Sequence, residues 1–161
     1  MTIEKNKKRE PSKMVTQVAG LLTATTKEIN GIRFLNTTKH YIKLRSADGV
    51  DHVVEPSGFV VNAGISEFSH EPPLHYNRIE ASFVEPEFLE EEEVHQCIQM
   101  YLDVENIGGR GHRPPVVMLG SIVAAQAYPG LICAMIPYPG FERVPPAEKR
   151  MRIDKFTIYG I

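Results

Sequence analysis

The sequence predicts an α+β fold, mainly antiparallel β, built as a compact single β-rich domain with one or two short helices and long Pro/Gly loops. Three observations carry that expectation. Apolar and polar residues alternate over many short runs. The pairs Asn30-Gly31 and Asp48-Gly49 separate such runs in the manner of hairpin turns. Gly and Pro number 12 each in 161 residues, more turn formers than a helical bundle would use. That length corresponds to one domain at roughly 100 to 200 residues per domain.

Residues 1–13 hold Lys5, Lys7, Lys8, Arg9 and Lys13 with no apolar pattern and read as a basic N-terminal arm ahead of a domain over 14–161. Residues 14–29 carry two signals. Met14, Val18, Leu21, Leu22 and Ile29 fit a helical stripe, whereas Gly20 and the threonines 23, 25 and 26 favour a strand. The turn at Asn30-Gly31, whose type I′ geometry needs positive φ at both residues, tips 23–29 toward a hairpin with 32–37. A second hairpin pairs 41–45 with 50–55, and Pro56-Ser57-Gly58 turns the chain again.

Residues 59–62 read as a short strand, 63–77 as a long connection containing Pro72-Pro73, and 78–84 as a half-buried strand. Six glutamates between 85 and 93 suggest a solvated loop or a frayed helical turn. In 94–105, Ile98, Met100, Leu102 and Val104 recur at every second position, which predicts a strand with one wet face. Val116 to Leu119 is continuously apolar, as in a strand buried on both faces. Gly120-Ser121 then forms a helix start, 122–128 a short helix, and 131–136 another buried strand. The connection between these two strands, about a dozen residues, is at the lower limit for a parallel crossover and leaves their relative direction open. A Pro-rich excursion over 137–146 precedes a final strand over 150–159.

Composition narrows the function classes. Hydrophobic residues at 42% and charged residues at 24% are those of an ordinary globule. A net charge of −2 gives no global footprint for nucleic acid or an anionic membrane, and no aromatic residue interleaves with the charges of the arm to stack on bases. No apolar run approaches the ~18 residues of a membrane span, and no apolar segment follows the basic start as in a secretory leader. An intracellular protein is expected, with Cys97 and Cys133 as buried thiols.

Among possible sites, the glycine-rich basic segment 108–113 is the best chemical candidate. Its glycines let backbone amides approach an anion, while Arg110, His112 and Arg113 supply donors. Ser121 and the amides of the following helix start would complete an anion site if the intervening strand brings the two together. The spacing matches neither the Walker nor the dinucleotide-binding pattern. His40, His52, His70, His75, His95 and His112 show no metal-ligand spacing, so no metal and no cofactor are expected. The segment around Ser121 lacks the second glycine of a hydrolase elbow, and the crowded glutamates make poor acids or bases, so no catalytic residue is assigned.

The segments Asn36-Thr37-Thr38-Lys39-His40-Tyr41-Ile42, Pro56-Ser57-Gly58, 117–127 and Pro129-Gly130 resemble a loose group of small proteins of bacteria and their phages. Those proteins open with an Asn-x-Thr-x-His strand start, carry a Pro-x-Ser-Gly-like turn and end with a strand followed by a small-residue helix. Thr38 stands where that group commonly has proline. The resemblance implies a prokaryotic or phage origin and no particular activity. With no catalytic constellation, the expected function is a non-enzymatic binding or assembly protein of a phage or mobile element, in the bacterial cytoplasm or the virion. Its arm and loops would meet partner protein subunits in an oligomer or larger assembly. The alternative is a small-ligand binder that sequesters a nucleotide-like anion through Arg110, His112, Arg113 and Ser121. An unrecognised hydrolase or transferase is a third reading, since folds of this size host many chemistries.

Overall fold

The computed structural model describes residues 18, 20, 22, 25–69, 74–85, 91–106 and 114–160, so the basic arm over 1–13 lies outside the described residues. In chain order the elements are β1 (Lys27–Ile29), β2 (Ile32–Asn36), β3 (Ile42–Arg45), β4 (Asp51–Val54), β5 (Val60–Ser69) and β6 (His75–Glu85). There follow α1 (Glu91–Asn106), β7 (Val116–Gly120), α2 (Ile122–Ala127), β8 (Cys133–Pro137) and β9 (Met151–Thr157). Seven strands form one sheet in the order β1-β2-β7-β8-β9-β3-β4, while β5 and β6 form a separate two-stranded ribbon. Four of the seven strand pairings are antiparallel, which makes the fold β-rich and mainly antiparallel as the alternation predicts.

The large sheet curls into a nearly closed barrel. Lys27 Nζ on β1 donates to the Val53 carbonyl on β4 at 2.6 Å, and Asn36 at the end of β2 bridges to Pro56 just beyond β4. Curling divides the apolar residues between two cores. Ile29, Phe34, Ile42, Leu44, Val54 and Leu119 fill the barrel, with the Phe34 and Phe156 rings 5.8 Å apart. Leu35, Val116, Met118 and Ala134 point outward and are covered by α1, α2 and the base of the ribbon. Along β7, successive residues Val116, Val117, Met118 and Leu119 alternate between the two cores, the reason this strand is apolar throughout.

Hairpin chemistry is realised where the sequence places it. Asn30 and Gly31 lie at φ 50° and 79°, and the register Ile29↔Ile32, Glu28↔Arg33, Lys27↔Phe34 follows. The strand leading into that turn is shorter than expected. Thr25 is helical, as are Val18, Gly20 and Leu22, and Val18 and Leu22 are buried in the outer core, so the helical stripe prevails over the threonines up to residue 25. Between β7 and β8 the pairing is parallel, Leu119↔Cys133 and Gly120↔Ala134, with α2 packed as the crossover.

Two expectations are overturned. The predicted strand over 94–105 is helix α1, whose buried residues Val94, Cys97, Ile98 and Tyr101 recur at the helical spacing i, i+3, i+4, i+7. Alternation from Ile98 to Leu102 is incidental, because Met100 and Leu102 are only half-buried. Glutamates in the first turn suit the positive end of the helix dipole, and Gln99 donates to Asp103 one turn on at 2.9 Å. The connection expected over 63–77 belongs in large part to β5 and β6, which extend the short strand expected at 59–62 into a ribbon with residues 60–69 paired to 75–85.

The positive φ at Gly31 makes this turn intolerant of side chains branched at Cβ. Gly31→Val is expected to lower stability by about 1 to 3 kcal/mol in a denaturant melt read by circular dichroism. An unchanged midpoint would mean that the β1–β2 turn does not hold its register.

Candidate functional site

Strand β2 ends in Asn36 and is followed by Thr37, the two fully buried polar residues among those described. Asn36 Nδ2 donates to the carbonyls of His40 at 2.7 Å and Val54 at 3.1 Å, and its Oδ1 accepts from Thr38 N at 2.8 Å and Thr38 Oγ1 at 2.7 Å. Two donors and two lone pairs are therefore all satisfied. The Asn36 backbone carbonyl accepts in turn from Ser57 N at 3.0 Å and Ser57 Oγ at 2.7 Å. Thr37 Oγ1 donates to the Leu119 carbonyl at 2.7 Å, and the Thr37 carbonyl accepts from Val61 N at 3.0 Å. These two residues fasten β2 to β4, β5 and β7. Gly120 permits the close approach, since a Cβ there would stand 2.6 Å from Ile132 Cγ2 and 3.1 Å from Thr37 Oγ1.

The turn that Asn36 holds presents Thr38, Lys39 and His40 to an open cavity of about 230 Å3. Val60, Val61 and Asn62 of β5 and Ser121 form the rest of its lining. Ser121 caps α2, its Oγ accepting from Ala124 N at 3.1 Å. Of the four residues the sequence nominates for an anion, Arg110, His112 and Arg113 lie outside the described residues. Ser121 instead lines the same cavity as Lys39 and His40, about eighty positions earlier in the chain. No local motif links them, and the proximity follows from the parallel pairing of β2 with β7.

A charged cluster sits on the β3–β4 hairpin. Asp51 accepts from Arg45 Nε at 2.7 Å and Nη2 at 3.2 Å, and from Arg150 Nε at 2.7 Å. The Arg45 guanidinium also lies over Phe141 at 4.8 Å and Tyr138 at 5.6 Å. The hydrogen bond from Arg45, reinforced by Arg150 and opposed by burial, holds the Asp51 carboxyl down at about 2. The three charged groups satisfy one another and pin the Pro-rich excursion over 137–146 against the hairpin, which makes the cluster a structural clamp.

The ribbon differs from these packed regions. At its base Val60, Val61 and Ala63 are buried, but beyond Gly64 both strands run into solvent. Ile65 is 61% exposed, Leu74 54% and Tyr76 44%. In register, Ile65 faces Ile79, Ser66 faces Arg78 and Glu67 faces Asn77. His75 Nδ1 lies 3.6 Å from Glu67 Oε1 on the same face. The alternation of Val61, Ala63 and Ile65, matched by Ile79, Ala81 and Phe83, was the available signal for this ribbon.

Among the described residues no three His, Cys, Asp or Glu side chains gather to hold a metal ion, and no helix is long and apolar enough to cross a membrane. Neither cysteine is in a disulfide. Cys97 is buried and Cys133 half-buried, and burial pushes the Cys97 thiol up to about 11.

Truncating the Asn36 side chain leaves the buried Val54 carbonyl and the half-buried Thr38 amide without this partner, while the His40 carbonyl keeps the bond from Thr38 Oγ1 at 3.0 Å. Asn36→Ala is expected to cost about 1 to 3 kcal/mol in a urea melt, chiefly from the desolvated Val54 carbonyl. A loss below about 0.5 kcal/mol, the scale of an ordinary surface substitution, would show that the network does not hold the barrel.

Comparison with family models, curated proteins and solved structures finds no match for this chain.

Proposed function

We propose that the protein is a non-enzymatic binding or assembly subunit, of the kind phages and mobile elements encode, that contacts partner protein subunits through the β5–β6 ribbon. The observation carrying this reading is the exposure of Ile65, Leu74 and Tyr76 on a two-stranded ribbon that extends beyond the barrel. An isolated two-stranded ribbon is marginal in water, and apolar side chains exposed on it gain from being covered. Among the described residues β5 and β6 pair only with each other, and a strand edge offers backbone donors and acceptors that a partner strand can satisfy. The test is size exclusion coupled to light scattering on the protein purified without denaturation from the cells that naturally express it. A particle heavier than the 18.1 kDa chain is expected, and a particle of monomer mass overturns the reading.

A second reading rests on the cavity beside Ser121, where Lys39 and His40 lend basic character to a volume of about 230 Å3. A small anion such as a nucleotide phosphate matches that chemistry. Inorganic phosphate and nucleoside monophosphates are expected to raise the melting temperature with the logarithm of their excess over Kd. Lack of any shift at millimolar ligand rules this reading out.

A further inference from the structure

We propose that the cavity beside Ser121 takes the phosphate monoester of a compact apolar group, with Asn62 selecting the oxyanion head and Val60 seating the apolar body. This rests on the reading of the cavity as an anion site and names the organic half of its ligand. The walls come from three places in the chain: the turn over 38–40, the base of β5, and Ser121. Hydrogen bonds hold them together, since Val61 N donates to the Thr37 carbonyl at 3.0 Å and Thr37 Oγ1 to the Leu119 carbonyl at 2.7 Å. The cavity is built without a ligand, and a preformed site spares binding the cost of ordering its walls.

The polarity of the lining points to a ligand that accepts hydrogen bonds. The register of the ribbon shifts between Asn62 and Ala63, and there Asn62 Oδ1 accepts from Ala63 N at 2.9 Å. That bond turns the amide oxygen to the backbone and leaves Nδ2, which donates to no described residue. Re-aiming a side chain is a common use of such a shift in pairing. Ser121 is disposed likewise: its Oγ accepts from Ala124 N at 3.1 Å, which leaves the hydroxyl proton to donate. The Thr38 hydroxyl, by contrast, is spent on Asn36 Oδ1 at 2.7 Å. Lys39 and His40 complete the polar lining, and no carboxylate belongs to it. Such a set suits an oxyanion.

Val60 accounts for the rest of the ligand. It is 5% exposed yet belongs to neither apolar core, and it lies two positions from Asn62, on the same face of β5. With Val61 beside it, this valine gives the cavity an apolar part in a lining otherwise polar. A volume of about 230 Å3 falls below the ~300 Å3 at which pockets begin to enclose drug-sized ligands, so a phosphate and one ring are enclosed where a whole nucleotide is not.

Isothermal titration calorimetry on the purified full chain, with inorganic phosphate, ribose 5-phosphate and phenyl phosphate, tests this. Phenyl phosphate is expected to bind about tenfold or more tighter than the other two, which carry the same head without an apolar body. Asn62→Asp keeps an oxygen for the Ala63 amide but sets a carboxylate against the phosphate, and is expected to weaken phenyl phosphate about tenfold or more. Position 62 is exposed, so a circular dichroism melt of this variant is expected to match wild type, and the comparison of the three ligands needs no variant. Phenyl phosphate bound no tighter than ribose 5-phosphate, or bound by Asn62→Asp as by wild type, overturns the proposal. Inorganic phosphate bound as tightly as phenyl phosphate overturns it too but leaves the anion reading standing, whereas a chain that binds none of the three loses both.

Discussion

The fold depends on one buried amide. Asn36 ends strand β2 at the point where the chain must leave the barrel, and four hydrogen bonds of its side chain replace the strand ladder that stops there. The bond to the Val54 carbonyl ties β2, second from one end of the sheet order, to β4 at the other end, so the residue that closes the turn also draws the barrel toward closure. An apolar residue of similar size would leave the buried Val54 carbonyl without this donor, at a cost of about 1 to 3 kcal/mol. The position therefore demands a side chain with both donors and acceptors, in a planar arrangement, on a short stem.

From that constraint the surroundings follow. Thr37 fastens Leu119 on one side and Val61 on the other, so the ribbon leaves the barrel from a strand whose base is fixed by a buried threonine. Gly120 has no room for a Cβ between Ile132 and Thr37, and it sets the chain for Ser121 to cap α2. The outer core then covers the face of β2, β7 and β8 that the barrel core leaves bare. On the far side, Arg45, Asp51 and Arg150 pin the excursion between β8 and β9. Rigid scaffold and projecting ribbon are thus joined through a few polar contacts whose donors and acceptors match.

Much of this organisation was legible because it rests on local chemistry. Asn30-Gly31 specified a turn that only positive φ satisfies, the run Val116 to Leu119 specified burial on both faces, and Ser121 specified a cap. What the sequence obscured were signals with two periods at once. Val94, Cys97, Ile98 and Tyr101 form a helical stripe, but Ile98, Met100, Leu102 and Val104 imitate a strand in the same segment. Weak alternation through Ala63, Gly64 and Ile65 concealed the ribbon, because small residues carry little pattern and its outer half has no core to face. That Ser121 lines one cavity with Lys39 and His40 was illegible for another reason: it arises from parallel pairing between strands far apart in the chain, which no local motif encodes.

Stability is unevenly distributed over this chain. Barrel and helices bury apolar side chains on both faces of the central strands, and that burial sustains the fold without contribution from the outer ribbon. Beyond Gly64 the ribbon is held by its own ladder and by its anchored base, so it lies at the low-stability end of the molecule, where local opening requires least free energy. Its apolar residues are therefore poorly explained by folding: replacing Ile65, Leu74 or Tyr76 with polar residues would remove little buried surface from the chain alone.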